Sequence, residues 1–309
     1  MIKLRTEIER IPLLRQIDRG EGIMLLGSCF TDHIGQWLQE SWLPVSCNPY
    51  GVLFNPASIG QTLLRLLSDG PFYPVLHELN GRYHSFDHHG KWSGEDAESL
   101  KEQLVRLDDD ARAFLRSSKH LIITLGTSWV YEREGKVVAN CHKFPATEFI
   151  RRCLSVEEIV AQWSQIAEAY HGSITFTVSP IRHVKDTLHG NQLSKATLLL
   201  AIDELQRRYP DKVQYLPVYE LFMDDLRDYR FYADDLVHPS SMAIEAVKEL
   251  FMDCAMTPTL RKYMNDAAPI VRGLQHRPSD PDSPQYKAFI ADLLKRKEAV
   301  CQEPQNIKY

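Results

Sequence analysis

The stretch Ile23-Met24-Leu25-Leu26-Gly27, running directly into Ser28-Cys29-Phe30-Thr31-Asp32, decides how this 309-residue chain is read. A short apolar run closed by glycine is the pattern of a buried strand, and Thr31 to Trp42 then carries apolar residues at helical spacing. The same pair recurs along the chain. Strands are expected at Leu43 to Cys47, His120 to Leu125, Ile174 to Val178 and Val213 to Tyr219. Helices are expected at Pro56 to Leu67, Gly94 to Arg116, Ser155 to His171, Asp186 to Tyr209 and Ser240 to Met256. That alternation predicts a doubly wound parallel sheet with helices on both faces.

Two stretches interrupt the alternation. Pro71 to Lys91, turning at Asn80-Gly81, reads as an inserted β-hairpin, and Val130 to Ala139, centred on Glu134-Gly135, reads as a second. Beyond Met256 come a Pro- and Asp-rich linker, Arg277 to Pro284, and a final amphipathic helix from Gln285 to Val300. The expected organisation is therefore one α/β domain over 1–257, with a hairpin insertion at 71–91, and an extension over 258–309 packed on it.

Composition narrows the function. Hydrophobic residues make up 44% and charged residues 25%, the balance of a folded globular chain, and the net charge of −5 with short basic runs gives no footprint for nucleic acid. No apolar run reaches the roughly 20 residues of a membrane span. The N-terminus carries charges where a signal peptide needs its apolar stretch, so a cytoplasmic location is expected. The six cysteines are dispersed and form no C-x-x-C pair, which reads as free thiols.

In open α/β sheets ligands bind beyond the carboxyl ends of the strands. Ser28 and Cys29 stand there, at a strand-to-helix turn where the helix dipole and free backbone N–H groups favour an oxyanion. Taken alone, Ser28 or Thr31 is more simply a helix cap. The segment Asp234-Asp235-Leu236-Val237-His238-Pro239-Ser240 changes the balance. An aspartate three residues before a histidine can hold its Nδ1 and leave Nε2 outward as a general base. Arg182 and His183 follow the fourth strand and are candidates for binding a carboxylate or phosphate, and Asn191 and Lys195, spaced i and i+4, could share that cleft. His84, Asp87, His88 and His89 match no zinc spacing, so no metal is expected. Trp92, Trp129 and Tyr131 are candidates for a sugar-stacking wall, with core packing the commoner fate of such residues. Asp108 to Asp110 reads as a solvated helix face.

Five ordered motifs carry a resemblance: Ile23 to Phe30, Asn48-Pro49-Tyr50-Gly51-Val52-Leu53-Phe54-Asn55-Pro56, Leu125-Gly126-Thr127-Ser128-Trp129, Val178-Ser179-Pro180-Ile181-Arg182-His183, and Asn191-Gln192-Leu193-Ser194-Lys195. Together they resemble the GSCFA family, placed within the SGNH/GDSL hydrolase superfamily, over Ile23 to Phe251. The resemblance implies a three-layer α/β/α, flavodoxin-like fold with a five-stranded parallel sheet. It also implies hydrolysis or transfer of an acyl ester of a small polar substrate, a carbohydrate among the candidates, through a covalent acyl-enzyme. The alternatives are an acyltransferase using the same site and a non-catalytic binding protein on the same fold.

Laying the superfamily's first block on Gly27 to Phe30 puts Cys29 at the nucleophile position, with Ser28 second; a helix N-terminus and a neighbouring imidazole would lower its pKa. His238 then acts as base and Asp235 as its orienter. Gly51 matches the second-block oxyanion donor and Gly126 opens the third block, where Ser128 replaces the expected asparagine. Hydrolysis of this kind needs no cofactor, and the expected partner is the small-molecule ester, with no nucleic acid and no membrane; the oligomeric state stays open. In the strand order 2-1-3-4-5, Cys29 and Cys47 lie near each other, and a disulfide between them would silence a Cys29 nucleophile.

Overall fold

The computed structural model describes residues 5–302. Its centre is a five-stranded parallel sheet made of β1 (Ile23–Gly27), β2 (Val45–Cys47), β6 (His120–Leu125), β10 (Ser173–Val178) and β11 (Val213–Tyr215). The strand order is β11-β10-β6-β1-β2, the expected 2-1-3-4-5 arrangement. In register, Gly27 lies beside Thr124, Leu25 beside Cys47, and Thr124 beside Thr177, so the turns after β1, β2, β6 and β10 gather on one edge.

Alternation along β1 and β6 explains the layers, because successive side chains leave a strand on opposite faces. Met24, Leu26, Leu121, Ile123 and Leu125 share one core with α2 (Pro56–Leu67), α3 (Ala97–Ser117), α4 (Val156–Ala169) and α5 (Thr187–Arg208). Ile23, Leu25 and Ile122 share the other with α1 (Cys29–Glu40), α7 (Ser241–Ala255) and α8 (Pro258–Gln275). Three layers follow, and every residue of β1, β6 and β10 is buried, as a sheet covered on both faces requires.

Several boundaries differ from expectation. The strand expected over Val213 to Tyr219 stops at Tyr215; after Pro217 the chain turns helical as α6 (Val218–Glu220) and a π-helical turn, Leu221–Asp225. Both inserted hairpins recruit a third strand. The first is a sheet of β3 (His77–Leu79), β4 (Arg82–His84) and β5 (Ser93–Gly94); the second joins β7 (Trp129–Arg133), β8 (Lys136–Val138) and β9 (Ile150–Cys153). Sequence reading also passed over α8, whose prolines at position 258 and inside the helix at 269 resemble loop punctuation. Its Leu260, Met264 and Ala267 lie in the same core as α1 and α7, and the Tyr263 hydroxyl donates to the Ser41 carbonyl. The last helix, α9 (Pro284–Gln302), packs on α8, with Leu293 against Gly273. Asp108 is not a solvated residue but wholly buried, ion-paired to Arg65 and Arg112 and accepting from the Tyr50 hydroxyl at 2.8 Å. Among the described residues no helix is long and apolar enough to cross a membrane.

Candidate active site at the carboxyl edge of the sheet

The strand order reverses between β1 and β6, and the turn after β1 lies at that switch point, where doubly wound sheets place their ligands. Gly27 is required by close approach: a Cβ there would stand 2.5 Å from the Thr124 carbonyl oxygen. Its N–H donates to Asn48 Oδ1 at 2.9 Å, and Asn48 Nδ2 donates to Asp32 Oδ1 at 2.7 Å. Asn48, nearly fully buried and with φ +42°, thus ties the turns after β1 and β2 together. Sequence reading missed this role for Asn48 and Asp32; the only signal was an asparagine directly after an expected strand, a residue type that tolerates left-handed backbone.

Helix α1 starts at Cys29 with Ser28 in the N-cap position, but the Ser28 side chain makes no capping bond. Both Ser28 Oγ and Thr31 Oγ1 are buried without a hydrogen-bond partner. The simple capping reading of these residues therefore fails, and the Thr31 N–H is taken instead by the Ser28 carbonyl at 2.8 Å. Cys29 is half-buried beside them. Burial, and next the Asp32 carboxylate, push its thiol up, against the opposing pull of the Phe30 and Cys29 N–H groups. This reverses the expected lowering: burial is the larger cause, and the charge that acts on the sulfur is Asp32, not an imidazole. Cys47 is pushed up to about 12, chiefly by burial, with its Sγ 3.7 Å from the Thr31 carbonyl. Cys29 and Cys47 are both free thiols, in line with the reading of the dispersed cysteines, and no disulfide joins them.

Asp235 and His238 form a pair. Asp235 Oδ2 lies 2.5 Å from His238 Nδ1, while Oδ1 accepts the Val237 and His238 backbone N–H groups at 2.9 Å each. Those bonds, led by the His238 N–H, hold the Asp235 carboxyl at about 2. Both side chains are half-exposed in the segment before α7, whose N-cap Ser240 accepts from the Ala243 N–H. Among the described residues no hydrogen bond or ion pair joins this pair to Ser28 or Cys29.

The expected oxyanion donors are committed within the protein. Gly51, at φ +82° and packed against His89, gives its N–H to the Asn48 carbonyl at 2.8 Å. Gly126 gives its N–H to the Phe54 carbonyl at 2.7 Å. Ser128 is wholly buried; its Oγ lies 3.1 Å from Ser194 Oγ and 2.9 Å from Cys153 Sγ.

Three of the four other expected residues do come together. Lys195, 1% exposed, donates from Nζ to the carbonyls of Gly126 at 2.5 Å and Ser179 at 2.7 Å, tying the ends of β6 and β10. Burial brings its pKa down to about 7. Asn191 Oδ1 accepts the His183 backbone N–H at 3.0 Å, and burial, then Lys195, lowers the His183 ring to about 4. The solvated face usual for a helical lysine is thus absent here. Arg182 instead stacks over Tyr232 at 5.4 Å, at the rim of a cavity of about 260 Å³. The aromatic residues form no common wall: Arg151 covers Trp129 at 4.3 Å and Tyr131 at 5.6 Å, whereas Trp92 donates to the Pro49 carbonyl. Among the described residues no group of three or more His, Cys, Asp or Glu side chains is placed to hold a metal ion.

The profile of the GSCFA family matches residues 22–251, about three-quarters of the chain and the whole central sheet. The chain belongs to the GSCFA family. A second profile, described as GSCFA domain protein, C-terminal domain, matches 267–306, which begins within α8 and includes α9. In this GSCFA protein the turn of Ser28 and Cys29, the Asp235–His238 pair and the Lys195 cluster all fall inside the first match. No curated protein matches the chain.

Proposed function

We propose that this GSCFA protein cleaves or transfers the acyl group of a small polar ester by an SGNH-like route. The observation that carries the reading is the head of α1 at the switch point, where a buried hydroxyl without a partner stands beside a half-buried thiol that the Cys29 and Phe30 N–H groups face. Cys29 attacks the carbonyl, and His238 Nε2 takes the thiol proton and returns it to the leaving alcohol. Asp235 holds His238 in the required tautomer. A thiol raised above its ordinary pKa is mostly protonated at neutral pH, so it needs such a base at the moment of attack. The N–H groups of the first turn of α1 supply the oxyanion site, since those of Gly51 and Gly126 are occupied.

Those occupied donors favour a second reading, a binding protein that holds the ester without cleaving it. Turnover of a panel of acyl esters, with the acyl-enzyme trapped and located by peptide mass spectrometry, separates the two. The expected result is an adduct on Cys29 that is lost in Cys29→Ala; an adduct on Ser28 transfers the nucleophile role to that residue. Faster product formation with an added alcohol identifies transfer over hydrolysis. No turnover and no adduct on any ester overturns the catalytic reading.

A further inference from the structure

At the opposite, amino-terminal edge of the sheet lies a second constellation that the reaction above does not use. His120 opens β6 and Ser173 opens β10, and the two are directly paired in the parallel register, so their side chains leave the same face. Ser173 Oγ lies 3.0 Å from His120 Nδ1, and His120 Nε2 lies 2.7 Å from Glu21 Oε2. A carboxylate accepts only, so Glu21 fixes the Nε2–H tautomer and leaves Nδ1 as the acceptor for the Ser173 hydroxyl. The other acceptor in reach of that hydroxyl, the Lys119 carbonyl, is farther at 3.4 Å. Burial alone would raise the Glu21 carboxyl, but the Asp18 N–H, His120 and Lys119 together hold it below its ordinary value.

This relay does not end in packed core. Glu21, His120 and Ser173 all line a cavity of about 620 Å³, within the size range of small-molecule sites. Its charged lining is mixed but mainly basic: Arg15, Lys119 and Lys212 face Glu21 and Asp211, with His171 also on the wall. Glu21 is already paired with Lys119 at 3.0 Å. Arg15 is set in place by Gln214, which bonds both its backbone N–H and its carbonyl at 3.1 Å.

We propose that Ser173, His120 and Glu21 form a second hydrolytic site, acting on a small acyl ester that carries a carboxylate or phosphate. Ser173 Oγ bonds to the acyl carbon as His120 Nδ1 takes the hydroxyl proton. The ester C–O bond breaks and the departing alcohol receives that proton. Water then attacks the acyl-serine, gives a proton to His120 and releases the acid, and the proton returns to Ser173. Glu21 is a positioning residue that keeps the imidazole in its working tautomer, and Arg15 recognises the anionic group, Lys212 being held by the Ala167 and Tyr170 carbonyls at 2.7 Å each.

The test is reaction of the full-length protein with a fluorophosphonate, each adduct being located by peptide mass spectrometry. Adducts on Ser173 are counted separately from those on Ser28 or Cys29, so failure of this site and failure of the first are distinguishable. The expected result is an adduct on Ser173 that disappears in Ser173→Ala and forms at least tenfold more slowly in Glu21→Gln. In the unaltered protein its rate rises with pH, since only a neutral base accepts the hydroxyl proton, a readout that does not depend on a variant folding. In a variant lacking both Ser28 and Cys29, 4-nitrophenyl hemisuccinate should be hydrolysed at least tenfold faster than the uncharged butyrate. No adduct on Ser173 where a known serine esterase is labelled, or a rate flat in pH, overturns the proposal.

Discussion

Helices α1 and α4 both open on a serine, and the two serines behave in opposite ways. Ser155 at the head of α4 accepts the Glu158 N–H at 3.2 Å while Glu158 reaches back to the Ser155 N–H at 2.8 Å, a complete capping box. Ser28 at the head of α1 makes no capping bond, and its hydroxyl is stranded in the interior. Helix α4 packs on the opposite face of the sheet from α1, between α2 and α5, and its head is fully bonded. At the switch point the rule is broken, which is where a protein leaves polar groups unsatisfied for a ligand to use. A similar contrast separates buried Asp108, whose carboxylate is met by Arg65, Arg112 and the Tyr50 hydroxyl although Arg65 Nη2 has no partner, from buried Lys195, which is held by two carbonyls.

The largest expected effect lies in the satisfied part of the molecule. Asp108→Ala leaves Arg65, Arg112 and the Tyr50 hydroxyl without their shared acceptor and should cost about 3–5 kcal/mol, read from chemical denaturation. A loss under about 1 kcal/mol would show that the network does not staple the fold.

Lys195 should reveal itself in pH dependence. Its folded-state pKa of about 7 lies below the ordinary 10.5, so between these values the unfolded chain holds a proton that the native chain lacks. Stability should therefore rise with pH across that window, by up to roughly 1.4 kcal/mol per unit, and Lys195→Met should remove that part of the slope. Parallel curves for the two proteins from pH 7 to 10 would contradict a buried, carbonyl-held lysine.

At the candidate site, His238→Ala should lower acyl-ester turnover by about 100-fold or more with no loss of fold, because its segment is half-exposed. Circular dichroism run beside the assay checks both halves of that statement. The smallest effects test the helix heads themselves. Ser155→Ala should cost about 1 kcal/mol, whereas Ser28→Ala, deleting a hydroxyl without a partner, should cost nothing or stabilise slightly. Equal losses at the two positions would erase the contrast between scaffold and site.

Much of this was legible in the chain because the central strands are buried on both faces and stand out as apolar runs between amphipathic helices. The order of β1, β2, β6, β10 and β11 followed from connection rules, and the Asp235–His238 pair from a three-residue spacing within one turn. What failed was whatever depends on residues distant in sequence. Asp108 looked solvated because its partner Arg65 is on another helix, and α8 looked like punctuation because its core neighbours are on α1 and α7.

The sequence by itself determined the three layers, the edge on which the candidate site residues gather and the family, since each rests on local periodicity or contiguous motifs. Only the tertiary structure decided the protonation and the bonding at that edge. It set Asp32, not an imidazole, beside Cys29, occupied the N–H groups of Gly51 and Gly126, buried Lys195 between two strand ends and, at the opposite edge, placed Ser173, His120 and Glu21 in one hydrogen-bonded line. Desolvation and hydrogen bonding act over a few ångströms in space, and the chain brings those groups within reach only once it has folded.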